Sequence, residues 1–139
     1  MENKISFSGI LNWLKSSEMF ARPSKQIPGN WQLYEYYIET GNELLHFNED
    51  QLKADKVFWD IEFKENEHFS HKCNLPVSFI TKMKDGNWNI SKNYINFISL
   101  ENFRDSVEFQ FAIVKGKLKL LKKDTFGKIE FFGFFNRQL

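Results

Sequence analysis

Hydrophobic residues change their spacing once along this chain, close to residue 29. Before that point they recur at i, i+3, i+4 and i+7, which predicts an N-terminal helical segment over residues 1–22. This stripe consists of Phe7, Ile10, Leu11 and Leu14. Pro23 ends the helical pattern, because the residue before a proline is pushed out of helical torsions.

After residue 29 hydrophobic and polar residues alternate, which is the pattern of strands with one buried face. The alternation is clearest in residues 57–63 and 107–113, whereas residues 129–135 are apolar on both faces. Weaker strands are predicted over residues 31–39, 69–73, 79–84, 88–90, 94–100 and 118–122. The pattern therefore predicts nine short strands in succession.

The connections between these strands carry different turn signals. Asp85-Gly86 predicts a two-residue hairpin turn, because glycine accepts the positive φ that such turns require, and Lys115-Gly116 predicts a second one. Residues 124–127 suit a four-residue loop. The longest connection, residues 40–56, predicts a lid or a binding loop, since long loops in compact domains often have that role.

A helix followed by a meander of short strands predicts an all-β fold. We expect a closed or nearly closed antiparallel barrel of about eight strands, because closure removes the two exposed edges of the sheet. With 139 residues and no internal repeat, the chain is predicted to form one domain, 1–139, with the barrel in residues 29–137.

Composition narrows the function classes. The 16 phenylalanines favour strands and fill wide interiors. A net charge of +1 gives no bulk attraction to nucleic acid or to an anionic membrane, and no run reaches the roughly 18 apolar residues of a membrane span. The single cysteine, Cys73, excludes an internal disulfide, and the N-terminal residues lack the pattern of a secretory signal, so a cytoplasmic location is expected.

Gly29-Asn30-Trp31, which opens the first strand after the helix, resembles the G-x-W motif of the lipocalins. The resemblance implies that Trp31 closes the floor of the barrel and that an arginine after the last strand stacks over it, the position that Arg137 matches. Residues 85–90, 94–98 and 107–121 are also similar to compact bacterial lipocalin-like proteins.

The chain departs from the lipocalin pattern in three ways. Nine strands are predicted, whereas the family has eight. The two numbers agree if residues 91–93 form a bulge within one strand over 87–100. The alternative is a ten-stranded barrel like that of fatty-acid-binding proteins. The family's middle-loop motif is not recognisable, and the helix that packs outside a lipocalin barrel has no counterpart after residue 137.

The missing outer helix predicts an apolar patch on the barrel wall, because the first and last strands of a closed meander are neighbours. Alternation directs the side chains of this patch outward. They are Tyr34, Tyr36, Phe132 and Phe134, and Ile38 lies beside them. Either the N-terminal stripe or a second copy of the chain is expected to cover it, which makes the protein a monomer or a homodimer.

The barrel interior is the candidate site. An eight-stranded barrel either fills with side chains or holds one small ligand, and the alternation leaves both possibilities open. The predicted ligand-binding residues, with Tyr37 and His71 as orienting polar groups, are Tyr37, Trp59, Ile61, His71, Phe79, Phe97, Phe109, Phe111 and Phe131. Glu35 shares the face of Trp31, so it is either a ligand contact or the partner of a buried base.

Other chemistry is weakly indicated. His68 lies on the opposite strand face from His71 and Cys73, which leaves too few ligands for a metal site and no third group to orient a nucleophile. The lysines of one hairpin are better explained as edge protection than as a nucleic-acid site, because Leu118 and Leu120 between them face the core. These lysines are Lys115, Lys117, Lys119, Lys122, Lys123 and Lys128.

The sequence therefore predicts a protein that binds a small apolar molecule, without catalysis and without a cofactor, and that admits the molecule beside residues 40–56. The alternative is a protein–protein interaction module, of the inhibitor or immunity type, whose barrel is filled by its own side chains. The two hypotheses differ in whether the phenylalanine cluster leaves a void.

Overall fold

A computed structural model describes residues 23–81 and 83–138, so the predicted N-terminal helical segment over residues 1–22 lies outside the described residues. In this part of the chain there are nine strands: β1 (Gly29–Thr40), β2 (Glu43–Phe47), β3 (Trp59–Phe63), β4 (His68–Cys73), β5 (Asp85–Ser91), β6 (Tyr94–Ser99), β7 (Val107–Val114), β8 (Lys117–Lys123) and β9 (Ile129–Gln138). The helices are α1 (Pro23–Gln26), α2 (Glu49–Asp55), α3 (Ser78–Thr81) and a 3-10 turn (Phe103–Asp105).

The strands form an antiparallel meander that closes on itself, because β9 pairs with β1. β2 and β3 lie on the same edge of β1, with α2 between them: β2 pairs with the second half of β1 and β3 with the first. Nine strands in the described residues therefore occupy eight positions around the barrel. The predicted all-β barrel of about eight strands is confirmed.

The barrel has two distinct ends, which we call the floor and the mouth. The floor contains the start of β1, the end of β9 and the β3–β4, β5–β6 and β7–β8 turns. The mouth contains the β1–β2 turn and the β4–β5, β6–β7 and β8–β9 connections. Most of the buried side chains form one core that runs between the two ends.

A β-bulge in β1 reverses which of its side chains face the interior. Leu33 pairs with Phe135 and Glu35 pairs with Phe134, so Tyr34 is the extra residue. A bulge of one residue moves every later side chain to the opposite face.

The bulge corrects four sequence-based orientations. Tyr36 and Ile38 were expected to face outward, but both belong to the interior cluster. Tyr37 and Glu35 were expected to face inward, but Tyr37 packs in a separate cluster on the outer wall and Glu35 pairs with His46 there. Alternation alone could not reveal this change, since a bulge leaves no gap in the hydrophobic pattern.

Two connections have more regular structure than expected. The predicted lid or binding loop over residues 40–56 is instead β2 followed by α2, whose first turn is closed by a capping box between Asn48 and Gln51. The predicted strand over residues 79–84 is instead the short helix α3. Its apolar residues fill the mouth of the barrel rather than one face of a sheet.

The predicted turns have mixed outcomes. Lys115 and Gly116 form the expected hairpin turn with positive φ, and Asp124 organises the 124–127 loop by accepting from two backbone N–H groups. Asp85-Gly86 lies inside β5 instead, where a Cβ on Gly86 would stand 2.1 Å from the carbonyl oxygen of Ile98. Residues 91–93 do not form a bulge, because a tight turn at Lys92 separates β5 from β6.

Candidate functional site

Trp31 and Arg137 close the floor. The Trp31 indole is fully buried, and its Nε1–H donates to the Ile27 carbonyl at 2.8 Å. The Arg137 guanidinium lies 4.2 Å from the centre of the Trp31 ring and donates to the carbonyls of Pro28 and Gln26. Gly29 has a φ of +133°, a conformation that other residues rarely adopt, and a Cβ there would also stand 2.5 Å from Arg137 Nη1.

The lower and middle interior is filled by aromatic rings around Trp59. The Trp59 ring contacts four phenylalanine rings at centroid distances of 5.3 to 6.4 Å; these are Phe97, Phe109, Phe131 and Phe135. The Trp59–Phe135 pair is edge-to-face, as are the neighbouring pairs of Phe109 with Phe97 and Phe131, which is a favourable geometry for aromatic rings. Aromatic rings therefore pack against one another through this part of the barrel.

The missing side chain of Gly133 makes room for aromatic rings in the middle of the barrel. A Cβ at this position would stand 2.2 Å from the Phe131 ring and 3.0 Å from Leu33 Cδ1. The missing side chain lets the Phe131 ring lie against the backbone of β9. The Tyr36 ring stacks on the other side, 5.7 Å from Phe131, and continues to Phe47 at 4.7 Å.

A short segment closes the mouth. We call residues 75–81, which include α3, the plug segment. Leu75 and Ile80 are buried in the core, and the half-buried Phe79 ring reaches Phe109 at 5.9 Å and Phe131 at 6.0 Å. The plug segment therefore occupies the space through which a molecule would reach the interior from this end.

The two ends of the plug segment are anchored to neighbouring strands. At its start, Asn74 donates to the Lys56 carbonyl and accepts from the Phe58 backbone N–H at 2.7 Å. After it, the Met83 carbonyl accepts from His71 Nε2, and the His71 backbone N–H donates to the Lys84 carbonyl at 3.2 Å. His71 thus contacts the chain just beyond the plug segment with both its ring and its backbone.

The His71 ring is held in one neutral form. The Trp59 indole N–H can only donate, and it lies 2.9 Å from His71 Nδ1, so Nδ1 accepts and the ring proton is on Nε2. Burial lowers the pKa of His71 below its usual 6.5, against the opposing influence of the Met83 carbonyl and of Asp85. Neutral His71 therefore links the core residue Trp59 to the plug segment.

Cys73 and His68 do not extend this site into a metal or nucleophilic centre. Burial raises the pKa of the Cys73 thiol to about 11, which keeps it protonated at neutral pH. His68 starts β4, three residues before His71, and pairs with Asn87. Within residues 23–81 and 83–138, no three His, Cys, Asp or Glu side chains are grouped to hold a metal ion.

A groove of about 560 Å³ lies beside the plug segment on the outside of β4. Its lining includes Phe58, Cys73, Thr81 and Met83, and it reaches His71. The groove is adjacent to the upper half of β4, where β4 is not paired with β5: the β4–β5 ladder extends only from His68 to Ser70. The groove therefore leads along this edge to the plug segment.

The outer wall has the apolar cluster that was expected, but with different members. Tyr37 packs there with Phe132 and Phe134, and its ring stacks on His46 at 4.3 Å, while Tyr36 lies inside. His46 also binds Glu35, with 2.6 Å between Nε2 and Oε2. Tyr37 is therefore corrected from a ligand-binding candidate to a residue of the outer wall.

Several lysines of the β7–β9 region lie over rings of the barrel wall and mouth. Lys117 Nζ is 4.6 Å from the Tyr34 ring centre, and Lys119 Nζ is 4.7 Å from that of Phe134. Lys122 Nζ is 5.4 Å from Phe79 and 3.0 Å from Glu130 Oε1. These three lysines therefore cover aromatic surface rather than protect a sheet edge as expected, because β8, which carries them, is paired on both sides.

The remaining predicted ligand-binding residues lie in the interior or at the mouth, and no contact with a ligand tests their role. The interior ones, all buried, are Trp59, Ile61, Phe97, Phe109, Phe111 and Phe131. The sequence reasoning missed Leu75, Ile80 and Met83, which close the mouth. Their spacing, interrupted by polar residues, matches neither a long helix nor a strand, so no periodic signal identified them.

Comparison with models of known protein families gives no match, and comparison with curated proteins gives none either. In the described part of the chain, no helix combines the length and hydropathy that a membrane crossing requires.

Proposed function

We propose that this protein binds a small apolar molecule at the mouth of its barrel, in the space that Phe79 and Ile80 of the plug segment now fill. The observation that carries the proposal is the way the mouth is closed. A short helix covers it, and the β4–β5 ladder ends at Ser70, followed by one backbone hydrogen bond from His71 to Lys84.

The unpaired edge is what makes displacement of the plug segment feasible. Paired strands separate only when several backbone hydrogen bonds break together, whereas beyond Ser70 the edge of β4 that faces β5 makes one described backbone bond to that side, from the His71 N–H to the Lys84 carbonyl. Low-stability segments of this kind supply the lids and binding loops of folded proteins. The outer groove beside β4 gives an apolar molecule a path to this edge.

The ligand space is limited to the upper part of the barrel. The Trp59 ring packs against Phe97, Phe131 and Phe135, so a molecule among these rings would have to expand the core. Displacing Phe79 and Ile80 frees the volume of two side chains, which suits a small molecule rather than a long-chain lipid.

The walls of this space favour an uncharged ligand. Tyr36, Phe109 and Phe131 line it, and burial raises the pKa of Tyr36 above 10.0, which keeps its hydroxyl neutral. Placing a charge among such groups is costly unless a partner compensates it. We propose binding without catalysis, because the nearby Cys73 thiol is held protonated.

The resemblance of Gly29-Asn30-Trp31 and Arg137 to the lipocalin motif supports a binding function for the barrel. The floor contact between Arg137 and Trp31 has the arrangement that the resemblance implies. Membership of the lipocalins is part of the proposal, and its support is this geometry together with the eight-position barrel.

A protein-interaction module is the second candidate, and a specific observation favours it. Three large apolar side chains are exposed on connections at the mouth: Leu100, Phe103 and Phe126, the last with 94% of its surface exposed. A filled barrel with apolar loop tips is the structure expected of a module that binds another protein through its rim.

Titration with an uncharged, environment-sensitive apolar dye such as Nile red tests the first candidate. Phe79→Ala is expected to tighten dye binding severalfold, because it removes a ring that competes for the same space. Phe126→Ala is the matched control, since it removes an equal ring from an exposed loop, and should leave binding unchanged. Equal effects of both variants, or none, would contradict binding at the mouth.

A further inference from the structure

We infer that His71 is a pH-sensitive latch that holds the plug segment closed at neutral pH and releases it in acid. The inference rests on the proposed function and adds the regulation of the same site. It depends on three groups that the fold brings together: the Trp59 indole, the His71 ring and the Met83 carbonyl.

The latch works only while His71 is neutral. Trp59 Nε1–H donates to Nδ1 across 2.9 Å, and the single ring proton on Nε2 donates to Met83. Protonation places a hydrogen on Nδ1 as well, so two N–H groups would face each other across that distance. Trp59 is fully buried among other rings and has no room to turn, so the imidazole is the group that must move.

Movement of the imidazole weakens the hold of β4 on the chain just beyond the plug segment and thereby favours opening. The Met83 carbonyl loses its partner, and the contact of His71 with Lys84 is weakened because both bonds come from the same residue. The other end of the segment stays bound, because the Asn74 side chain bonds the backbone groups of Lys56 and Phe58. None of the groups in these bonds titrates. Opening in acid is therefore expected to pivot at Asn74.

The charged groups around His71 do not cancel this effect. Asp85 at the start of β5 favours the protonated ring, but desolvation opposes it more strongly. Cys73 on the same strand stays neutral throughout, since its pKa is about 11. Lys72 and Lys84 are exposed, and the rings that face His71 from the core are those of Trp59 and Phe69, which do not titrate.

The other histidines of the chain provide matched controls. His68 lies on the same strand, and its ring has no described hydrogen bond to the plug segment. His46 lies on the outer wall with Glu35. A pH response that belongs to the latch must disappear in His71→Gln, which keeps a donor near the ε position but does not titrate, and must persist in His68→Gln and His46→Gln.

Amide hydrogen exchange of the ligand-free protein tests the latch directly. Rates for residues 74–84 are measured between pH 7.5 and 5.5, corrected for intrinsic exchange, and compared with rates in β7, β8 and β9. We expect the opening equilibrium of the plug segment to rise by up to about tenfold per pH unit below 6.5, as one linked proton requires, while the strands stay protected. Flat exchange in the plug segment, equal acceleration in all strands, or an undiminished response in His71→Gln would overturn the latch.

A second measurement covers the case in which His71→Gln does not fold. NMR titration of the histidine rings in the unaltered protein should show that His71 protonates below its usual pKa of 6.5, at the pH where the rise in plug exchange levels off. Protonation of His71 without any change in plug exchange would overturn the latch.

The dye titration separates the two proposals. If plug exchange rises in acid but Nile red binds at no pH, the latch is present and the proposed binding function is wrong. If Nile red binds equally at pH 7.5 and 5.5 and plug exchange is flat, the binding function stands and the latch is wrong. Both are supported if binding tightens in acid together with plug exchange.

Discussion

The floor and the mouth of this barrel are both closed, but by different kinds of structure. At the floor, Trp31 and Trp88 lie on paired strands and donate to backbone carbonyls, and Arg137 crosses the opening to two more. At the mouth, a short helix lies between two strands that are no longer paired with each other.

This difference indicates which end of the barrel stays closed as long as the protein is folded. Closing groups on paired strands move only if the sheet is disrupted, whereas a plug held by buried side chains and an anchor at each end can leave as a unit. A barrel that binds a molecule needs one end of each kind. The predictions below test this division, beginning with the substitution of largest expected effect.

Trp31→Ala should destabilise the whole protein. It removes a fully buried indole, its hydrogen bond to Ile27 and the surface on which Arg137 rests, and the loss of a large buried side chain costs about 3–5 kcal/mol. The free energy of unfolding from urea denaturation measures it. A loss below about 1 kcal/mol would show that the floor is as replaceable as the mouth.

Gly133→Ala should cost less, because it adds a single methyl group to the layer between the two ends. The new Cβ would stand 2.2 Å from the Phe131 ring, and overpacking of this kind costs about 1–3 kcal/mol. The same denaturation experiment measures it. Gly41→Ala is a suitable control because a Cβ at Gly41 meets nothing within 4 Å, although its φ of +57° adds some strain of its own. A neutral result at Gly133 would mean that the middle layer has free space.

The contrast between floor and mouth also explains what the sequence could predict. The floor was predictable because a short motif marks its residues: Gly29, Trp31 and Arg137 were expected together from the resemblance to the lipocalin motif. The fold class followed in the same way, since the period of two persists through nearly every strand.

The mouth was less predictable because its structure depends on tertiary packing. A helix of four residues, Ser78–Thr81, has no helical period to detect, and residues 79–84 therefore resembled a weak strand. The bulge at Tyr34 likewise puts Tyr36 in the interior, where Tyr37 was expected, without altering the hydrophobic pattern of the sequence. The capping box between Asn48 and Gln51 was legible in the sequence and would have indicated α2.

The stability of the protein should fall in acid by an amount that depends on His71. The folded-state pKa of His71 is lowered, so below pH 6.5 the unfolded chain takes up a proton before the folded protein does. The stabilisation is complete above 6.5 and is lost as the pH falls toward the folded-state pKa. Between pH 7.5 and 5.5 the wild type should lose about 1 kcal/mol more than His71→Gln. An equal loss in both proteins would show that His71 is not buried in its neutral form.

Phe126→Ala should have the smallest effect and therefore tests the mouth most specifically. The ring is 94% exposed on a loop that Asp124 already holds through the Phe126 and Lys128 backbone N–H groups, so its removal should change the free energy of unfolding by less than about 0.5 kcal/mol. Phe79 is an equal side chain at the same end of the barrel, but it reaches the core. If Phe126→Ala leaves both stability and dye binding unchanged while Phe79→Ala alters dye binding, the plug segment is the functional part of the mouth. If Phe126→Ala instead abolishes capture of a partner protein at unchanged stability, the exposed rim is the functional part, and the interaction module becomes the better account.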